Sequence, residues 1–424
     1  MAVLLLLPTS QEQTPSAKLA DLISDRDPAA SFRAISDLVD LSESRREEVE
    51  REAQRLPAFY REVLESDLKS KRELRPLFAK SGRIRLKGKG RTFLEYIDEI
   101  DQLPGFEFTI VAQMRNQMPK EPFDLDLECW PIEGVALLCD RVRQRMAIHS
   151  SWTDPTISLY PTAHEPQRPP ETRPWFFYRN IAIQAGVGSW RKTVDFSGPP
   201  SWVTGVGFQV MTDPHMPAVD CGNLRLIEFL DENGKAIAQP APEASALPPD
   251  PWASYRAGSM MFSVGLAAEG IRKISRLRLS FTVRVPSEVR RYVVTEFGSP
   301  QKFRDEFFDI DIGMEEGIAP TSDCVAVRIV PKKERHADLA RVPIVLLQKF
   351  DAPSMSGTGG VFTGKGEGVT VRSSWCTMRT GAKMDPAVQR ELGKLRRPLR
   401  IEVAIPVGLK ERTVYAEFRD IPLR

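Results

Sequence analysis

The clearest ordering of polar and apolar side chains lies between Gly82 and Pro161. Arg83-Ile84-Arg85-Leu86-Lys87 alternates with period two, the pattern of a strand that buries one face. Thr92 and Glu95 then have the spacing of a capping box, and Phe93, Ile97 and Ile100 fall on one side of the helix it would start. Pro104-Gly105 ends that helix, and Phe106 to Val111 is rich in strand-forming residues. Phe123 to Cys129 restarts the alternation. Pro131 stands where a first helical residue would, ahead of the apolar stripe Ile132, Val135, Leu138, Cys139, Val142 and Met146. Short strands near 147–150 and 156–160 complete the order strand, helix, strand, strand, helix, strand pair.

Upstream, the period becomes helical. Lys18 to Ile23, a helix opened by Asp27-Pro28 and carried by Phe32, Ile35, Leu38 and Val39, then Arg45 to Leu56 and Ala58 to Leu68 read as four short helices. Downstream, Glu165 to Pro174 reads as a linker, after which strands dominate: Trp175 to Gln184, Trp202 to Met211 and Leu224 to Leu230. Asn233-Gly234 predicts a hairpin that pairs Arg225–Phe229 with Lys235–Ala238, and Gln239 to Asp250 reads as a long loop. Arg276 to Phe297 and Arg397 to Phe418 echo one another, with alternating strands, Pro286 and Pro406 one residue out of register, and a closing Glu-Phe. Such an echo predicts two β-sandwich modules, the second with strands at Phe307–Ile312, Cys324–Val330 and Ile344–Gln348.

Two resemblances follow from these residues. The run IRLKGKGRTFLEYIDEIDQLPGFEFTIV, continued by FDLDLECWPIEGVALLCDRVRQRMAIHSSWTDPTISLYP, resembles the short N-terminal domain of secretins and TonB-dependent receptors, the secretin N0-like or STN fold. That resemblance implies a small module that docks other proteins in a bacterial envelope, and it carries no catalytic residue. No membrane barrel and no ring-forming secretin region follow it. The segment SAKLADLISDRDPAASFRAISDLVDL, which includes Arg33, is similar to a HEAT repeat, and this likeness implies a surface for packing or protein contact. An unrelated helical hairpin fits the same pattern.

Composition narrows the function. With 42% apolar and 27% charged residues the chain is globular and long enough for several cores. Its 59 basic and 57 acidic side chains leave a net charge of +2, too little to hold nucleic acid by counterion release. No stretch approaches the roughly 20 apolar residues of a membrane-spanning helix. Met1 to Pro8 reads either as the end of a secretory apolar region or as a cytoplasmic N-terminus. The first reading places the protein outside the cytoplasm, in the periplasm. Five cysteines without a CxxC pair argue against a zinc knuckle or a redox motif, and a Cys129–Cys139 bridge is a minor alternative to free thiols.

Candidate chemistry is sparse. Gly359 to Lys365 has the spacing of a phosphate loop, but Gly366 replaces its Ser or Thr, and a hairpin loop between Gly357 and Gly368 is the expected structure. Asp213, His215 and Asp220 have metal-ligand chemistry within a turn-rich loop. Asp309, Asp311, Glu315 and Glu316 suit either calcium or the solvated face of a strand, and the alternation favours the strand. The four histidines adjoin no nucleophile motif, so neither an enzyme nor a cofactor is expected. The aromatic run Trp175, Phe176, Phe177 and Tyr178 is the candidate partner contact, with core packing as its alternative.

The expected fold is α+β and multidomain: a leader or flexible stretch at 1–15, a helical segment at 16–80, a small βαββαβ domain at 82–161, and antiparallel β-sandwich modules at 174–298 and 301–424. The expected function is a non-enzymatic protein-interaction or structural role in the bacterial cell envelope, with protein partners. A carbohydrate-binding or carbohydrate-processing protein is the alternative, since the chain has seven tryptophans that can form glycan platforms.

Overall fold

The computed structural model describes residues 16–74, 82–102, 109–112, 118–142, 146–150, 156–161, 174–193, 201–212, 218–237, 252–254, 260–266, 271–296, 299–316, 322–332, 345–349, 358–365, 368–376 and 400–423. The fold is mixed α+β, with helices at the N-terminus and then several small, mainly antiparallel sheets; none closes into a barrel among the described residues. No helix among these residues is long and apolar enough to cross a membrane.

Contacts gather the chain into two compact units. The first takes the residues up to Val285 together with Lys410–Arg424, and the second is Pro286–Leu409.

The first unit opens with α1 (Ser16–Leu22), α2 (Pro28–Leu41), α3 (Arg46–Ala53) and α4 (Ala58–Glu73). The start of α2 follows from its sequence: the Asp27 carboxylate accepts from the Ala30 amide at 3.0 Å, and Pro28 occupies the first turn, where its missing N–H costs nothing. Phe32, Ile35, Leu38 and Val39 form the buried stripe of α2, and Tyr60, Val63 and Leu64 that of α4.

Strand β1 (Ile84–Arg91), helix α5 (Phe93–Asp101), β2 (Thr109–Ala112), β3 (Phe123–Cys129), helix α6 (Pro131–Arg141), β4 (Met146–Ser150) and β5 (Thr156–Pro161) follow in that order. The Thr92–Glu95 capping box forms, with the Thr92 amide donating to Glu95 at 2.6 Å. β1 and β3 make a two-stranded antiparallel ribbon, while β5 pairs parallel with β2 and antiparallel with β4. Leu86, Phe93, Ile97, Ile100, Ile132, Val135 and Leu138 share one buried cluster, so both apolar stripes face inward.

Next come β6 (Trp175–Tyr178), β7 (Ile181–Thr193), β8 (Ser201–Thr212), β9 (Asp220–Asp231), β10 (Trp252–Ser254), β11 (Met260–Leu266) and β12 (Lys273–Val294). One sheet has the order β11-β8-β7-β6. In another, β10, β9 and β12 are joined by the final strand, Arg400–Pro422, whose residues from Lys410 onward belong to this unit. The helices and these strands share one apolar core: Phe32, Ile35 and Tyr60 pack in the same cluster as Phe176, Phe208, Leu279, Phe281 and Phe418. At ~1.5–3 kcal/mol for each large apolar side chain removed from water, this shared burial holds the helices to the sheets.

The second unit contains β13 (Gln301–Arg304), β14 (Phe308–Glu316), β15 (Ser322–Pro331), β16 (Val345–Lys349), β17 (Thr358–Lys365) and β18 (Gly368–Cys376), with residues of β12 beyond Val285 and those of β19 (Arg400–Pro422) before Lys410. Its sheet runs β13-β14-β15-β18-β17, and β16 pairs with β19. Phe308, Ile310, Ile312, Val325, Val327 and Ile329 alternate inward against Ile401, Val403 and Ile405.

Three local readings change. The expected strand Trp175–Gln184 is two strands, β6 and β7, because Arg179 takes a left-handed backbone (φ 52°) and the chain reverses at Arg179-Asn180. The Asn233-Gly234 turn forms, with Gly234 at φ 77°, but among the described residues the return is a single bridge, Leu230 to Ala236, flanked by the Ile237 amide donating to the Phe229 carbonyl at 2.8 Å. The glycines of 358–365 lie in a strand rather than a loop, with Phe362 opposite Val371 and Thr363 opposite Thr370.

Candidate functional site

The four aromatics of β6 alternate across that strand. Phe176 and Tyr178 are buried, their rings edge-on to Phe32 at 4.8 and 5.2 Å. Trp175 and Phe177 are half-buried and stack on one another at 5.5 Å, against the cluster that holds α5 and α6. Two of the four expected contact residues are thus core, and the other two keep partial exposure.

The β6–β7 turn is itself buried. Arg179 is 1% exposed and Asn180 is 3% exposed, an unusual place for the tip of a hairpin. The Arg179 guanidinium donates to the Ser36 carbonyl at 2.7 Å and to the Asp40 carboxylate at 2.9 Å, both on α2. The Tyr178 hydroxyl donates to Asp67 of α4, and Arg412 donates to the other oxygen of the same carboxylate at 3.3 Å. Burial works against the charge on Arg179, but the acidic groups around it outweigh that effect and raise its pKa; burial and the charge of Asp67 hold the Tyr178 hydroxyl well above its ordinary range. The left-handed backbone at Arg179 is therefore kept in place by bonds to two helices.

A second buried network centres on Glu417. Tyr60 donates to it at 3.0 Å and Arg278 at 2.9 Å, while Arg278 also reaches Asp25 at 2.5 Å and Glu228 at 3.2 Å. The Arg278 guanidinium lies over the Phe59 ring at 4.5 Å, where the face of the ring attracts a cation. Burial, reinforced by Glu417, pushes the Tyr60 hydroxyl up to about 12.

Both networks join partners far apart in sequence around buried members, Arg179, Asp67 and Arg412 in one and Glu417 in the other, while Asp40 and Asp25 reach solvent at their edges. Their members are paired ions that tie α2 and α4 to the strands of this unit.

The exposed counterpart is the β1–β3 ribbon. Arg85, Lys87 and Lys89 project from β1, and Asp124, Asp126 and Glu128 from β3. Arg85 lies opposite Glu128 and Lys87 opposite Asp126, with Arg85 3.0 Å and Lys87 3.5 Å from Asp126. Among the described residues these two strands pair only with each other, so each keeps one edge without a strand neighbour. Nothing in the alternation alone marks this, because pairing of the edges is decided by the rest of the chain.

Of the metal candidates, Asp213 and His215 lie outside the described residues, and Asp220 begins β9 opposite Ser254 and Arg284. No group of three or more His, Cys, Asp or Glu is placed to hold a metal ion among the described residues. Of the carboxylates considered for calcium, Asp311 takes a cation from Arg304 at 2.8 Å and Asp309 from Lys332 at 3.0 Å, while the side chains of Glu315 and Glu316 lie outside those described. Cys129 and Cys139 are free and buried, so no bridge joins them. Comparison with protein-family models, with curated proteins and with solved structures finds no match.

Proposed function

We propose that this chain is a non-enzymatic, multidomain protein-interaction or structural protein of the bacterial cell envelope. It docks protein partners through a secretin N0-like module at residues 82–161 and through the edges or loops of β-sandwich modules at 174–298 and 301–424. The observation that carries this reading is the β1–β3 ribbon, set in the element order β-α-β-β-α-β-β, with a strand edge on each side that lacks a strand neighbour among the described residues. An edge of that kind accepts an added strand from a partner, whose backbone bonds give affinity while alternate side chains give selectivity. The charged face then favours a partner of matching charge pattern.

The glycan alternative has less support. Of the tryptophans whose side chains are described, Trp130 is buried and Trp175 is half-buried against Phe177, which leaves no pair of exposed coplanar rings among them.

The test is affinity capture from envelope fractions with the full chain and with a variant carrying Arg85→Glu and Lys87→Glu. A protein retained by the first and lost with the second supports the proposal. Retention of no protein, together with hits on a glycan array, replaces it with the carbohydrate reading.

A further inference from the structure

The last strand lies along α4 in a single antiparallel register. Lys410 Nζ donates to the Glu73 carbonyl at 2.7 Å, Arg412 to Asp67 at 3.3 Å, and Ser66 Oγ to the Thr413 carbonyl at 3.3 Å. Tyr415 donates to Glu62 at 3.5 Å, and Tyr60 donates to Glu417 at 3.0 Å. As the strand number rises from 410 to 417, the helix number falls from 73 to 60. Beyond α4, the Arg419 guanidinium donates to the Asp25 carbonyl, and Leu423 donates its amide to the Arg272 carbonyl at 2.8 Å.

Beside the buried Arg412 and Glu417, the strand also buries apolar side chains. Val414, Ala416, Phe418 and Ile421 belong to the core that contains Phe32, Phe59 and Leu277, and the Phe418 ring lies 6.0 Å from Phe176 and 5.6 Å from Phe208. Its place beside β12 means that it has helix contacts and strand contacts at once. Between Val285 and Lys410 the chain builds the whole second unit before it returns to the first.

We propose that residues 410–422 are a strap: a separable strand that seats on α4, closes the core of the N-terminal helices, and is required for those helices to keep their packing. Removing it takes Arg412 from Asp67 and strips Tyr60 and Arg278 of the Glu417 carboxylate they share. Buried polar groups left without partners, next to newly exposed apolar surface, open the helical layer locally. The seat that remains takes an extended segment through the same alternating contacts, and its occupant is the chain's own C-terminal strand.

The test uses the full-length protein with a specific protease site inserted between Leu409 and Lys410, cleaved once and mixed with a labelled synthetic peptide of residues 410–424. The expected result is that cleaved protein takes up the peptide in place of its own fragment while uncleaved protein does not. Refusal of the peptide by the cleaved protein overturns the proposal, and so does an unchanged helical circular dichroism signal after the fragment has been washed away. Should the cleaved protein aggregate, Arg412→Ala in the uncleaved chain decides by hydrogen exchange. At least tenfold faster exchange across 58–73, with 308–312 and 325–329 unchanged, supports the strap; an equal change in both regions, or no change, rejects it.

Discussion

The Arg33 guanidinium of α2 lies 3.1 Å from the carboxylate of Glu133 at the start of α6, and this pair ties the N-terminal helices to the strand–helix repeat. Asp37 adds a second tie to the same repeat, meeting Arg83 at 2.8 Å, and Asp40 joins α2 to the β6–β7 turn, meeting Arg179 at 2.9 Å. Spacings of four and three residues bring all three side chains to neighbouring turns of the helix. The charges of α2 thus fix its orientation, while its apolar stripe supplies most of the stabilisation.

Arg33→Ala is expected to destabilise the first unit at pH 7. Glu133 has a side chain only 6% exposed and also accepts from the Trp130 amide at 3.1 Å, so removing the cation leaves a buried carboxylate with one partner fewer. Arg33 itself is 39% exposed, which screens the pair and keeps the cost to about 1–2 kcal/mol. Burial raises the pKa of Glu133 above its ordinary value despite the Trp130 amide and Arg33. The folded state therefore binds this proton more readily than the unfolded state, and the cost of ionisation is relieved as pH falls through the folded pKa. Urea unfolding at pH 7 and pH 5 checks the sign: the deficit of the variant shrinks at the lower pH.

Asp305 gives the opposite dependence in the second unit. Burial raises its pKa, but hydrogen bonds from Tyr292 and from the amides of Phe308 and Phe307 outweigh that and leave it lowered. Both amides donate to the same oxygen, at 2.8 and 2.7 Å. Its contribution is present above the unfolded carboxyl pKa and is lost as pH falls through the lowered folded value. Asp305→Asn is expected to cost about 1 kcal/mol at neutral pH and to flatten the acid limb of stability below pH 4, read by chemical denaturation across pH.

How much of this was legible in the sequence depends on the range of the interaction. The starts of α2 and α5 could be read directly, because Asp27 and Thr92 bond to amides three residues away. Both helical stripes and the β1 and β3 alternation are equally local. The Arg179-Asn180 turn escaped, since it lacks the usual Asn-Gly signal and its left-handed arginine is held by groups on α2 and α4. Neither could the networks be read, because Arg412 and Asp67 are 345 residues apart. In β6 the aromatics signalled a strand but not a side, as both of its faces meet apolar clusters.

Gly408→Ala is expected to lower the melting temperature of the second unit. Its φ of 62° disfavours any side chain, and an added Cβ would stand 2.1 Å from Ser287 Oγ. That hydroxyl is held by its bond to the Val407 carbonyl at 3.1 Å and cannot turn aside without losing it. A loss of about 1–2 kcal/mol follows from the left-handed backbone alone, and calorimetry measures it. Recovery of stability in the double variant with Ser287→Gly would trace the remainder to the clash.

Thiol labelling reports on the first unit. Burial pushes the Cys129 thiol up to about 12 and raises that of Cys139 further, so neither forms an appreciable thiolate at pH 8. In the native protein both are expected to stay unmodified under brief exposure to a maleimide, and to label fully in denaturant, as peptide mapping would show. Rapid labelling of Cys139 in the native state would mean that α6 turns its apolar stripe outward.

Arg179→Met separates charge from volume at the buried hairpin tip. Methionine fills much of the arginine's space and tolerates an irregular cavity, but it offers nothing to Asp40 or to the Ser36 carbonyl. Asp67 keeps its bonds from Tyr178 and Arg412, so the loss falls mainly on α2 rather than α4. Because Asp40 is 57% exposed and Asp67 stays paired, the loss is about 1–2 kcal/mol, chiefly the Ser36 carbonyl left without this donor, and the left-handed backbone then lacks bonds that hold it. The variant is expected to unfold at lower urea, with α2 amides exchanging before those of α4. Arg179→Gly deletes the same bonds and relieves the backbone strain but leaves the buried volume empty, so a Gly variant as stable as the Met variant would show that the strain relieved matches the cost of the cavity.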